Sequence, residues 1–181
     1  MPRLDLSRVW KLDADVGGAD WLQVDLNVPS RSRATELFRG EWLPDRPLLA
    51  NPSLGNRVGD LVGTGWAGLY LASSAFQAAI DRFRGWKTYA IEPVGTAERL
   101  KGFDGLAITG RFGPIDEIWE DPAISGRFGM YVDPETWDGS DLFAASNRIG
   151  IYVSKAVADA LVERALTNVA LEQEVSLETG L

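Results

Sequence analysis

The side chains in this sequence best able to do chemistry are carboxylates. From Asp104 to Asp141 there are nine of them (Asp104, Asp116, Glu117, Glu120, Asp121, Asp133, Glu135, Asp138 and Asp141), opposed by Arg111 and Arg127. Nearly all of the formal net charge of −8 sits in that stretch. Two carboxyl groups flanking a bond can act as the acid and base of a glycosidase. An acidic face can also meet a basic macromolecule, since complementary potential speeds encounter. Solvated loop charge is the plain alternative. A calcium loop fails on spacing. With Asp133 first, the fifth position is Trp137, the sixth Asp138 and the twelfth Ala144, where an EF-hand needs an oxygen ligand, glycine and glutamate. Asp138-Gly139 reads as a turn with Trp137 buried beside it.

The absences narrow the chemistry further. Histidine and cysteine are both zero, which removes imidazole bases, Ser-His triads, His-ligated zinc, thiolate nucleophiles and disulfides. Carboxylate pairs, a lysine, or a hydroxyl activated by one of Lys11, Lys87, Lys101 and Lys155 are what remain. Gly63-Thr64-Gly65-Trp66-Ala67-Gly68 matches the dinucleotide pattern by letter, but its glycines precede a strand instead of opening a helix. That inverted context favours a hairpin or loop. Gly110-Arg111-Phe112-Gly113 recurs as Gly126-Arg127-Phe128-Gly129, and the two tetrads are expected as facing edges of a long hairpin. Their arginines could grip an anion, but their acidic surroundings favour ion pairs. A pI near 4.6 argues against a nucleic-acid partner.

The elements that must position these groups are legible in the periodicity. Leu22, Val24, Leu26 and Val28 alternate with Gln23, Asp25 and Asn27, the period-2 mark of a half-buried strand. Leu43 to Gly65 is rich in Pro and Gly and reads as turns and extended chain. An internal repeat aligns Gly68-Leu69-Tyr70-Leu71-Ala72-Ser73 with Gly150-Ile151-Tyr152-Val153-Ser154. Each copy is a short strand with a tyrosine at the same place. Each runs into a serine suited to cap the helix that follows. Gly85 and Asn168 come after the two helices, and both residue types tolerate the left-handed position beyond a helix end. Second strands are expected over Trp86 to Glu92 and Val169 to Val175. The whole implies a single α+β (mixed α/β) domain over 1–181. It would hold two strand–Ser–helix–strand units and additional antiparallel strands, with N-terminal strands and Pro/Gly-rich loops over 1–58. No apolar run reaches signal-peptide length at the N-terminus, and none approaches the roughly 20 residues of a membrane span. The expected location is cytoplasmic, with no membrane partner.

Gly113-Pro114-Ile115-Asp116, then Tyr131-Val132-Asp133-Pro134-Glu135-Thr136-Trp137-Asp138-Gly139-Ser140-Asp141-Leu142-Phe143, then Ile151-Tyr152-Val153-Ser154 opening a helix, resemble a bacterial immunity-protein family found beside polymorphic toxins, the immunity protein eleven type. The Trp137–Phe143 heptad is the most specific part, and the likeness covers about residues 60–175. It implies a cytoplasmic non-enzyme that binds a cognate toxin and blocks it in bacterial competition. Distant relatives carry paired Cys-x-x-Cys-Gly motifs. This chain has no cysteine, so no metal role carries over and no cofactor is expected. The leading expectation is an antitoxin-like binder that occludes its toxin effector domain stoichiometrically, and an acidic face suits a basic effector such as a nuclease. Asp116, Glu117, Glu120, Asp121, Asp133, Glu135, Asp138 and Asp141 would supply charged contacts and Trp119 an aromatic anchor. The rivals are a carboxylate-dependent hydrolase acting on a saccharide-like substrate and a regulatory or scaffold binding module.

Overall fold

The computed structural model describes residues 4–14, 20–119, 128–174 and 177–179, with backbone alone described for 96–98, 118, 119, 128, 129, 178 and 179. A 3-10 turn (Leu6–Arg8) leads into β1 (Val9–Asp13), followed by β2 (Gln23–Leu26), α1 (Arg31–Phe38) and β3 (Leu48–Leu54). β4 (Leu61–Thr64) and β5 (Tyr70–Ala72) enter α2 (Ser74–Ile80). Then come β6 (Trp86–Tyr89), β7 (Ile91–Pro93) and a 3-10 turn over Gly95–Leu100. β8 (Asp104–Ile108), β9 (Gly110–Phe112), β10 (Ile115–Trp119) and β11 (Phe128–Val132) follow. After a 3-10 turn at Pro134–Thr136 come β12 (Leu142–Ala145), β13 (Ile151–Ser154), α3 (Lys155–Glu163), β14 (Ala170–Gln173) and β15 (Leu177–Thr179). The fold is α+β.

Local sequence explains the pieces. On β2 the apolar positions Val24 and Leu26 are buried and Asp25 is exposed. The Gly63–Gly68 motif lies where β4 turns back antiparallel onto β5, a hairpin with no helix N-terminus behind it. Ser73 caps α2, accepting a hydrogen bond from Phe76 N. Ser154 stands at the same place before α3 but makes no side-chain cap bond. Gly85 (φ 103) and Asn168 (φ 57) both take the left-handed conformation after their helices.

The strands form three sheets, ordered β14-β1-β13-β12-β9, β10-β11-β15 and β6-β8-β5-β4-β2-β3-β7. The first and third share one scheme. In each, the strands before and after a helix flank one antiparallel strand: β5 and β6 around β8, β13 and β14 around β1. The next neighbour, β4 or β12, is antiparallel to the strand before the helix. The one after it, β2 or β9, lies parallel. Registers align Leu61↔Ala72 with Leu142↔Val153 and Val62↔Leu71 with Phe143↔Tyr152. The capping serines are therefore the equivalent residues. Tyr70 is equivalent to Ile151, which corrects the expected match of the two tyrosines by one position.

The main core is built from β-sheet residues such as Val24, Leu61, Leu71, Leu106 and Val153, together with Phe38, Phe76, Ile80, Val157 and Leu161 from the helices. A second cluster holds Leu4, Val9, Phe112, Ile115, Val132, Phe143, Ala145, Tyr152 and Leu177. It fastens the three-stranded sheet to the five-stranded one. The Phe112 ring meets Phe143 and Tyr152 edge-on, each at 5.3 Å between centroids, a geometry aromatic quadrupoles favour.

Candidate functional site

The acidic segment is spread over β8, β9, the β10–β11 hairpin and the turns leading to β12, and these elements sort its carboxylates into two groups. β10 and β11 pair antiparallel, with Ile115↔Val132, Asp116↔Tyr131 and Glu117↔Met130. Ile115 and Val132 point into the second core cluster at 1% and 2% exposure. The alternation of a strand then places Asp116 on the outer face. Asn147 ties the hairpin base to the scaffold, its Oδ1 accepting from Ile115 N and its Nδ2 donating to Ile115 O. The two Gly-Arg-Phe-Gly tetrads do not face each other. Gly110–Phe112 form β9 and pair in parallel with β12, while Phe128 and Gly129 belong to β11, opposite Trp119 and Ile118.

Asp116 and Glu135 are exposed, and their carboxylates make no hydrogen bond or ion pair among the described residues. Asp133 is exposed too, and its Oδ1 accepts from Glu135 N to cap the 3-10 turn. Glu117 is held by Arg148, with 2.6 Å between Nη2 and Oε1. Arg148 lies outside the acidic segment, so counting charges within the segment misses it. These four residues stand about the open end of the hairpin, in β10 and in the turn leaving Val132.

The other group, exposed Asp138 and half-buried Asp104 and Asp141, accepts hydrogen bonds from the protein's own scaffold. Asp138 accepts from Arg111 N and Ser140 N, both at 2.9 Å, and organises the turn at Gly139 (φ 83). Asp141 accepts from Arg84 N at 3.0 Å, with Ser154 Oγ 3.5 Å away. Asp104 accepts from Gln77 Nε2. Arg111 is occupied as well. Its guanidinium donates to the carbonyls of Ile108, Gly110 and Arg39 and lies 3.8 Å from Glu41. Burial pushes its pKa down, partly offset by Glu41. Arg111 is thus spent on backbone carbonyls and on an ion pair with Glu41, a carboxylate outside the acidic segment, while Arg127 lies outside the described residues. Glu120 and Asp121 also lie outside them, and Trp119 is placed only by its backbone pairing to Phe128.

Asp60 has no place in the acidic segment, yet it is the most heavily bonded carboxylate among the described residues. It stands before β4 as Asp141 stands before β12. It accepts from Ser73 Oγ at 2.7 Å and from Thr167 N and Oγ1, both at 2.8 Å. Burial works to raise its pKa, but these hydrogen bonds outweigh it and hold the group below the ordinary carboxylate range. The signal available in the sequence is that Asp60-Leu61 and Asp141-Leu142 keep the same distance from their serines, Ser73 and Ser154.

Two of the carboxylates line a common cleft. Asp5 and Asp141 border a space of about 280 Å³ with Leu4, Arg8, Trp137, Ser154, Lys155 and Ala156. The Ser7 hydroxyl, helped by Ser7 N–H and Arg8 and opposed by desolvation, holds Asp5 below its ordinary pKa. Among the described residues no group of three or more His, Cys, Asp or Glu could hold a metal ion, and no helix is long and apolar enough to cross a membrane. No family model matches the chain, and no curated protein matches it.

Proposed function

We propose that the protein is an antitoxin-like immunity protein, a cytoplasmic binder without catalytic activity that occludes a basic effector domain with the outer face of its β10–β11 hairpin. One observation carries this reading. Asp116 and Glu135 are exposed and unspent among the described residues, in the segment that holds nearly all the net charge of −8. Unpaired carboxylates at the rim of an interface act chiefly through long-range attraction, raising the association rate. The likeness of Tyr131–Phe143 and Ile151–Ser154 to immunity proteins agrees with it.

The test is capture of the effector domain encoded beside the gene, followed by stopped-flow association across a salt series. The expected result is a one-to-one complex whose association slows as salt rises. Asp116→Lys combined with Glu135→Lys should slow it further and flatten the salt dependence. A correctly folded double variant that associates at the unchanged rate, or an effector domain that does not bind at all, would remove the proposal.

A further inference from the structure

The two sheets that share one pairing scheme do not each use one half of the chain. The seven-stranded sheet is made of β2 to β7 plus β8, the first strand of the second half. The five-stranded sheet is made of β9 and β12 to β14 plus β1, the first strand of the first half. The donated strands occupy equivalent places. β8 lies between β5 and β6, and β1 lies between β13 and β14, each antiparallel to both neighbours. Leu12 and Leu106 are buried at matching positions, opposite Ile151 and Tyr70. Beyond this, β2 is matched in the second half by β9 and, past Gly113-Pro114, by β10, so that β2–β3–β7 and β10–β11–β15 each follow an antiparallel pair with a parallel one.

The aspartate clamps are exchanged in the same way. Asp60, in the first half, binds Thr167 N beyond α3, while Asp141, in the second, binds Arg84 N beyond α2. Backbone contacts repeat the exchange: Asp60 N donates to Thr167 O and Asp141 N to Arg84 O. The two helices pack on each other where the halves meet.

We infer that the chain is two interlocked copies of one folding unit joined end to end, one running to the turn before β8 and the other from β8 onward. Each unit completes the other's sheet with its first strand. The partner surface of each unit is therefore the other unit, and a lone unit leaves a central ladder position empty between two strands. Unpaired backbone groups there would have to find another strand.

The experiment uses the full chain with a protease site inserted at Lys101–Gly102, an exposed turn where Gly102 has open space around it. After cleavage in native buffer the two pieces are expected to elute together at the intact mass. Unfolded and separated, neither should recover the far-ultraviolet and tryptophan signals as a monomer, and mixing them should restore most of both. A control cut at Asp45–Arg46, which divides the first unit between α1 and β3, should restore little. The inference is overturned if the native pieces part, if either folds alone as a monomer, if mixing fails to restore the signals, or if both cuts recover equally well.

Discussion

The two strand–serine–helix–strand units meet one geometric demand with unequal means. In the first, Ser73 both caps α2 and donates to Asp60, and Asp60 gathers three donors. In the second, Ser154 makes no cap bond and lies 3.5 Å from Asp141, which has one short bond, from Arg84 N. α3 is the longer helix and carries a Lys155–Asp159 pair one turn apart at 2.6 Å. The lengths are absorbed inside the helices, so the serines before them and the left-handed residues after them keep their places. The larger difference lies outside these units. Between β2 and β3 the first half inserts α1, which packs on β8. The corresponding hairpin of the second half carries Asp116 and Glu117 on its first strand. The two units keep one pairing scheme while their outer connections differ in charge.

The sharpest way to break this comparison is through the second core cluster. Phe143, fully buried, is equivalent to Val62 in the main core. Phe143→Ala should cost about 3–5 kcal/mol in urea unfolding, because Phe112, Tyr152 and Trp137 all pack on its ring. Val62→Ala removes less volume and should cost about 2 kcal/mol. Equal costs would mean that the aromatic cluster adds nothing to what fastens the hairpin sheet.

The clamps should differ next. Asp60→Asn sets an amide against N–H and O–H donors and should cost about 2–3 kcal/mol, against about 1 kcal/mol for Asp141→Asn. The pH dependence follows from the lowered pKa of Asp60. A carboxyl whose folded pKa is depressed stabilises the fold above its unfolded value, about 3.9, and loses that contribution as pH falls through the folded one. Stability of the native protein should therefore fall below about pH 4, and Asp60→Asn should flatten that part of the profile.

The smallest effect is expected at the hairpin itself. Glu117 and Arg148 are 39% and 31% exposed, so solvent screens the pair. Glu117→Gln should change stability by about 1 kcal/mol or less by urea titration, and a larger loss would recast the hairpin charges as structural.

Much of this architecture could be read from residue letters, for reasons that are local. The alternation at Leu22–Val28, the serine before each helix and the residues after them are governed by neighbours a few positions away. The equivalence of the two units was harder. Gly68-Leu69-Tyr70 and Gly150-Ile151-Tyr152 match by letter, but the hydrogen-bond registers match the serines. The stretch from the glycine to the serine is one residue longer in the first copy, so a search at one spacing matches the glycines and tyrosines or the serines, not both. The site was less legible still. Asp116 and Asp138 look alike in sequence, but one stands outward on a strand and the other binds the Arg111 and Ser140 amides. Nothing adjacent to Glu117 announces Arg148.

The sequence alone indicated the strand at Leu22–Val28, the two helices opened by serines and the turn-forming residues beyond them, and it excluded histidine and cysteine chemistry, since composition and short-range hydrogen bonding decide such things. Only the folded chain decided that β1 and β8 change places and which aspartates are consumed internally. A strand's ladder partners and a carboxylate's donors come from segments far along the chain, and their choice is made by which arrangement closes every sheet and satisfies every buried amide at once.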